Sequence, residues 1–141
     1  GLALSETTIS DGRLERIDNE DAFDGESFKL SLSESQLIVE CRFSEAQPLP
    51  AGGTPVMMEF TYRSNHTLIA GIFSRDQTGT FQVPIIVLSP SEDWNRVYIN
   101  LTDIVSSNSG FFEHQPYFGF IRDEDHEGEA FVILDNIRVL H

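Results

Sequence analysis

One cysteine, Cys41, one lysine, Lys29, and one tryptophan, Trp94, measure how much this 141-residue chain does without. A single thiol excludes an intrachain disulfide, and no CxxC or Cys/His spacing offers a zinc site. Nine basic residues against 23 acidic ones leave a net charge of −14. Such a chain has no basic stripe for a phosphate backbone, so nucleic acid is excluded as a partner and anionic lipid is repelled. Long apolar runs are missing as well. None approaches the roughly 18 residues that span a bilayer, and no charged segment followed by an apolar block opens the chain. The G-x-S-x-G elbow, the P-loop and the dinucleotide fingerprint do not occur, and among 23 carboxylates a glycosidase pair cannot be told from surface charge. The expectation is a non-catalytic domain without a cofactor. Six alanines and no helical period sustained over three turns leave little room for helix.

What the chain has is alternation of period two. Phe28, Leu30 and Leu32 stand against Ser27, Lys29, Ser31 and Ser33, the pattern of a half-buried strand. It returns at 36–43, 56–63, 68–74, 81–88, 96–101, 117–122 and 131–140, and turn-formers separate the runs at 24–25, 48–55, 77–79, 89–93, 106–110 and 123–128. Eight or nine strands at this spacing argue an all-β antiparallel sandwich or barrel, formed as a single domain over 1–141 and large enough to hold a core without staples. Minor helix is expected at 101–106, capped by Thr102 or Asp103, and more weakly at 13–22. Cys41 falls on the apolar side of Leu37, Val39 and Phe43 and reads as a core side chain. Pro84 lacks a ladder donor, which puts its strand at a sheet edge or makes a bulge there.

Alternation also nominates a surface. If Val97, Ile99 and Leu101 face the core, then Arg96, Tyr98 and Asn100 face outward, and Glu59, Thr61 and Arg63 do so on another strand. An aromatic ring among amide, guanidinium and carboxylate groups suits a sugar, with stacking on one side and polar contacts to hydroxyls. Tyr98, Arg96, Asn100, Glu59 and Arg63 are therefore the candidate ligand-binding residues. The plain alternative is a solvated face laced with cross-strand Glu–Arg pairs. His66, His114, His126 and His141 are isolated from one another in the sequence and read as loop or terminal residues. The triplets at Asn65 and Asn100 fit glycan acceptors only in a eukaryotic secretory chain.

Several segments together resemble a known family. The run Asp21-Ala-Phe-Asp-Gly-Glu-Ser-Phe-Lys-Leu, the strand 56–63, Trp94-Asn-Arg-Val-Tyr-Ile-Asn-Leu and the closing Phe131-Val-Ile-Leu-Asp-Asn-Ile-Arg-Val-Leu resemble the galactose-binding-like jelly-roll domains of Bacteroides-type lipoproteins, which are similar to carbohydrate-binding modules. The resemblance implies a jelly-roll β-sandwich, Trp94 at the sandwich edge, and a carbohydrate-binding role outside the cytoplasm. The expected setting is the cell surface or periplasm, with a lipid anchor upstream. The alternative is a structural or adhesive domain whose partner is protein. Asp135 shares its alternation with Phe131, Ile133, Ile137 and Val139, so if that face is the core its carboxylate needs donors or a cation. In the resembling modules an aspartate of the last strand can help hold a structural calcium, here with Asp24 and the carbonyls around Gly25. The alternative is backbone donors or an arginine. The acidic runs 18–26 and 123–129 lack EF-hand spacing.

Overall fold

In the computed structural model residues 4–6, 12–17, 27–106 and 110–141 are described. The runs of alternating residues pair as antiparallel strands because only pairing satisfies their backbone groups while one side of each is buried. Among the described residues the strands are β1 (Leu4–Glu6), β2 (Arg13–Ile17), β3 (Ser27–Leu32), β4 (Ile38–Phe43), β5 (Met57–Ser64), β6 (Leu68–Asp76), β7 (Gly79–Leu88), β8 (Ser91–Asn100), β9 (Glu113–Ile121) and β10 (Ala130–Leu140). They form two five-stranded sheets, ordered β1-β4-β9-β6-β7 and β2-β3-β10-β5-β8. All the strand pairs are antiparallel. This is the all-β jelly-roll sandwich, with one short helix, α1 (Thr102–Ser106). Each of the eight runs read as a strand is one. Residues 13–17, expected as weak helix, are instead β2: Leu14 and Ile17 mimic helical spacing, but pairing of Arg13 with Ser31 and Ile17 with Ser27 decides the conformation.

Between the sheets lie Val39, Cys41, Phe43, Ala70, Ile72, Phe118 and Phe120 from the first and Leu30, Leu32, Met58, Phe60, Tyr62, Ile99, Val132 and Leu134 from the second. Phe60 and Phe118 meet edge to face across the sheets, centroids 5.0 Å apart. The loop after β4 carries the proline-rich 47–55 from one sheet to the other, as a crossover. Helix α1 buries Val105, but its first N–H is taken by Asn100 Oδ1 at 3.0 Å rather than by Thr102 or Asp103. The Thr102 hydroxyl instead accepts the Val56 N–H.

Two irregularities shape the outer faces. Strand β7 is an edge, and Ala70 pairs with Ile86 while Gly71 pairs with Pro84, so Ile85 is extra and a bulge surrounds the proline. On β10 the pairing with β5 slips between Asp135 and Arg138, where Asn136 adopts φ 52°. The slip reverses the alternation. Val132 and Leu134 face the core before it and Ile137 after it, so Phe131, Ile133 and Asp135 lie on the outer face. The premise that Asp135 shares a core face with Ile137 and Val139 is thereby corrected.

Candidate functional site

The outer face of the first sheet is built by the alternates of its core residues. Glu40 and Arg42 on β4, Tyr117 and Gly119 on β9, Ile69, Gly71 and Phe73 on β6, and Gln82 and Pro84 on β7 all point away from the sandwich interior. The two middle strands carry glycine here: Gly119 lies opposite Glu40, and Gly71 opposite Tyr117. Missing side chains leave a trough, and larger neighbours lean over it. A Cβ on Gly71 would collide with the Val83 carbonyl and come within 2.8 Å of the Tyr117 ring, because the bulged β7 folds close against this point. One depression of about 410 Å³ runs along Glu40, Ile69, Gln82, Pro84, Tyr117 and Ile121. A second, of about 350 Å³, continues the face with Arg42, Phe73, Arg75, Thr80, Glu113 and Gln115.

Polar groups in the trough are tied together. Gln82 Nε2 donates to Glu40 Oε2 at 2.9 Å, although β9 and β6 lie between their strands. The Tyr117 phenol, 3% exposed beneath them, has its pKa raised by burial; the Gln82 side chain hydrogen-bonds to it and opposes the shift, and the Glu40 charge reinforces it. Phe73 packs on Tyr117 with centroids 4.9 Å apart, and the Arg42 guanidinium lies 4.9 Å from the Phe73 ring centre. Arg75 pairs with Glu113 at 2.5 Å and lies over Phe112. Behind the second depression His114 is buried, its Nδ1 2.8 Å from the Ser74 hydroxyl, and burial lowers its pKa. An amide and a carboxylate held at fixed spacing above a buried ring, with guanidinium groups at one end, can bond the hydroxyls of a sugar.

The chain's sequence matches no family model and no curated protein. Solved structures match it along its whole length. A carbohydrate-binding module of the β-sandwich superfamily, from work on promiscuous specificity, superposes with a TM-score of 0.66 at 14% identity over 100% of this chain. The chain spans 57% of that structure's length. A family 30 carbohydrate-binding module gives 0.67 at 16% identity, covering 95% of this chain and 76% of the other. The family 11 module of Clostridium thermocellum, in complex with a β-1,3-1,4-mixed-linked tetrasaccharide, gives 0.55 at 10%, covering 96% and 85%. The fold is that of carbohydrate-binding β-sandwich modules.

On this β-sandwich the residues nominated by alternation occupy the outer face of the other sheet. Tyr98 is 57% exposed and stands opposite Glu59, while Ile99 is buried, so the register is the expected one. The five do not form one cavity. Glu59 and Arg96 border a hollow of only about 60 Å³, too small for a sugar ring, and Glu59 faces Arg138 at 3.8 Å. Asn100 caps α1. Arg63 turns to a separate depression of about 650 Å³ at the β5 and β8 ends, its guanidinium near the rings of Trp94 and Phe131. Sequence reasoning missed Glu40, Gln82, Arg42 and Tyr117. Their outward alternation was visible, but the meeting of β4 and β7 across two strands was not.

Asp135 is 6% exposed, and its Oδ1 accepts the Asn136 N–H at 2.7 Å, where the slip would otherwise strand that donor. Asp24 and Gly25, its expected calcium partners, lie outside the described residues, as does the run 18–26. Among the described residues no three His, Cys, Asp or Glu converge as metal ligands. His114, expected in a loop, is instead buried within β9, whereas His66 lies in the loop between β5 and β6 as expected but is buried there, with its ring 4.6 Å from that of His126. Arg122 donates beside them to the carbonyls of Leu32, His126 and Gly128, pinning the 123–129 loop to the sandwich end.

Proposed function

We propose that this domain is a non-catalytic carbohydrate-binding module that takes a glycan chain along the outer face of β4-β9-β6-β7. The observation that carries this proposal is the Gln82–Glu40 bond above Tyr117, spanning a floor left open by Gly71 and Gly119. Sugar hydroxyls need paired donors and acceptors held in place before binding, and an amide locked to a carboxylate supplies both. The similarity to carbohydrate-binding modules supports the fold on which this proposal stands. Placement outside the cytoplasm follows from the same function, since polysaccharide is met there. Attachment to lipid upstream is proposed on the resemblance to Bacteroides-type lipoprotein domains.

A second proposal, a structural or adhesive domain with a protein partner, draws on Leu37, Ile121 and Val87, which are exposed at one end of the same face. A glycan array separates the two. Binding to one class of polysaccharide, weakened in Gln82→Ala and unchanged in Leu37→Ser, supports the carbohydrate proposal. Silence across plant, host and bacterial glycans refutes it.

A further inference from the structure

Of the two arginines that line the second depression, Arg75 is paired with Glu113 and Arg42 lies on an aromatic ring. Among the described residues, Arg13, Lys29, Arg75 and Arg138 each have a carboxylate partner, in Glu15, Glu129, Glu113 and Glu59. Arg122 is spent on three carbonyls. Arg42 has no ion pair among the described residues; its contact is the Phe73 ring. It is half-buried, opposite Tyr117, and lines the 350 Å³ depression that continues the trough. A guanidinium laid on an aromatic ring keeps its N–H edges for a planar anion, and stacking removes much of the freedom it would otherwise lose on binding. The other charges in the depression, Arg75 and Glu113, neutralise each other, and buried His114 adds none at neutral pH. The depression therefore presents one positive charge in a molecule of net charge −14.

We infer that the glycan is acidic, with a uronic acid residue whose carboxylate is held by Arg42 while Thr80, Gln115 and Glu113 meet its hydroxyls. The inference rests on the carbohydrate proposal for the same face. A neutral sugar gains little from a guanidinium that a hydroxyl-matched amide would not supply. A carboxylate gains two parallel charge-assisted bonds, enough to offset the repulsion of the surrounding acidic surface.

The test is titration of the domain with three chains: polygalacturonate, the same chain fully methyl-esterified, and a neutral galactan. Esterification removes the charge and preserves the sugar. The expected result is binding of the acid form at least about tenfold tighter than the ester, weakening as salt rises, with that preference lost in Arg42→Gln. Arg96→Gln, on the opposite sheet, should keep it, and thermal melts should show both variants folded. Equal binding of acid, ester and neutral chains would refute the acidic inference and leave the carbohydrate proposal standing. Stronger binding to a sulfated galactan than to polygalacturonate would refute the carboxylate as the recognised group. Binding to none of these, together with a silent glycan array, would refute both.

Discussion

Gln82 on β7 reaches Glu40 on β4 at 2.9 Å although two strands separate them. Three strand spacings amount to about 14 Å in a flat sheet, more than these two side chains span comfortably. The sheet must therefore curl towards its outer side, and the bond is both consequence and brace of that curvature. Glycine at 71 and 119 removes the side chains that would prop the face flat. Curvature, floor and polar bridge thus have one origin in sequence: two glycines at outward positions of adjacent central strands.

Gly71→Ala should be the most damaging single-methyl change on this face. Its Cβ would meet backbone at Val83 and, at 2.9 Å, at Pro84, as well as the Tyr117 ring. Backbone does not step aside as a flexible side chain does, so a loss of about 1–3 kcal/mol is expected. Gly119→Ala, whose nearest neighbour is the Val39 carbonyl at 3.1 Å, should cost less. Denaturant melts of the two variants check the order.

Breaking the bridge should affect binding more than folding. Gln82 is exposed, and truncating it leaves Glu40 to be solvated from above, so Gln82→Ala should alter stability by less than about 1 kcal/mol. Glycan affinity should fall about tenfold, since one of the placed hydrogen-bonding groups is gone. Calorimetric titration beside a thermal melt separates the two effects.

Much of the sandwich is legible in the sequence because a strand with one buried face writes its alternation into local composition, as at Met58, Phe60 and Tyr62. Legibility stops where a single residue resets the phase. Asn136 takes a left-handed backbone that asparagine tolerates, and the Asp-Asn pair was the available signal, yet alternation alone carried Asp135 into the core. The candidate site was less legible still. Glu40 and Arg42 read as outward residues, but which strand lies two places across is a property of topology, not of spacing.

Asp135 serves the slip at Asn136. Asp135→Asn keeps an oxygen for the Asn136 N–H and should cost under about 1 kcal/mol, whereas Asp135→Ala strands the donor and should cost about 1–3 kcal/mol. A structural calcium would make the two variants equally harmful and would lower the wild-type melting temperature in chelator. The account predicts unequal variants and a melt that chelator does not move.

Stability should decline on the acid side of pH 6.5. Burial lowers the pKa of His66 and of His114 from 6.5; His126 and Arg122 push His66 further down, while Asp123 and the Asn65 hydrogen bond oppose them. The unfolded chain then binds protons that the native one refuses, so stability is intact above 6.5 and lost as pH falls towards the lowered native values. A double variant, His66→Gln with His114→Gln, should show a shallower fall in melting temperature from about pH 7.5 to 5.5 than the wild type. An unchanged slope would show that neither histidine contributes.

The location of the glycan tests the account most directly. Backbone amide shifts of the labelled domain, followed by NMR during titration with the best-binding oligosaccharide, report which sheet is touched. The account predicts shifts at Glu40, Arg42, Gly71, Gln82, Tyr117 and Gly119, with Glu59, Arg96 and Tyr98 unmoved. Shifts confined to Glu59, Arg96 and Tyr98, or to the Arg63 and Trp94 depression, would contradict it.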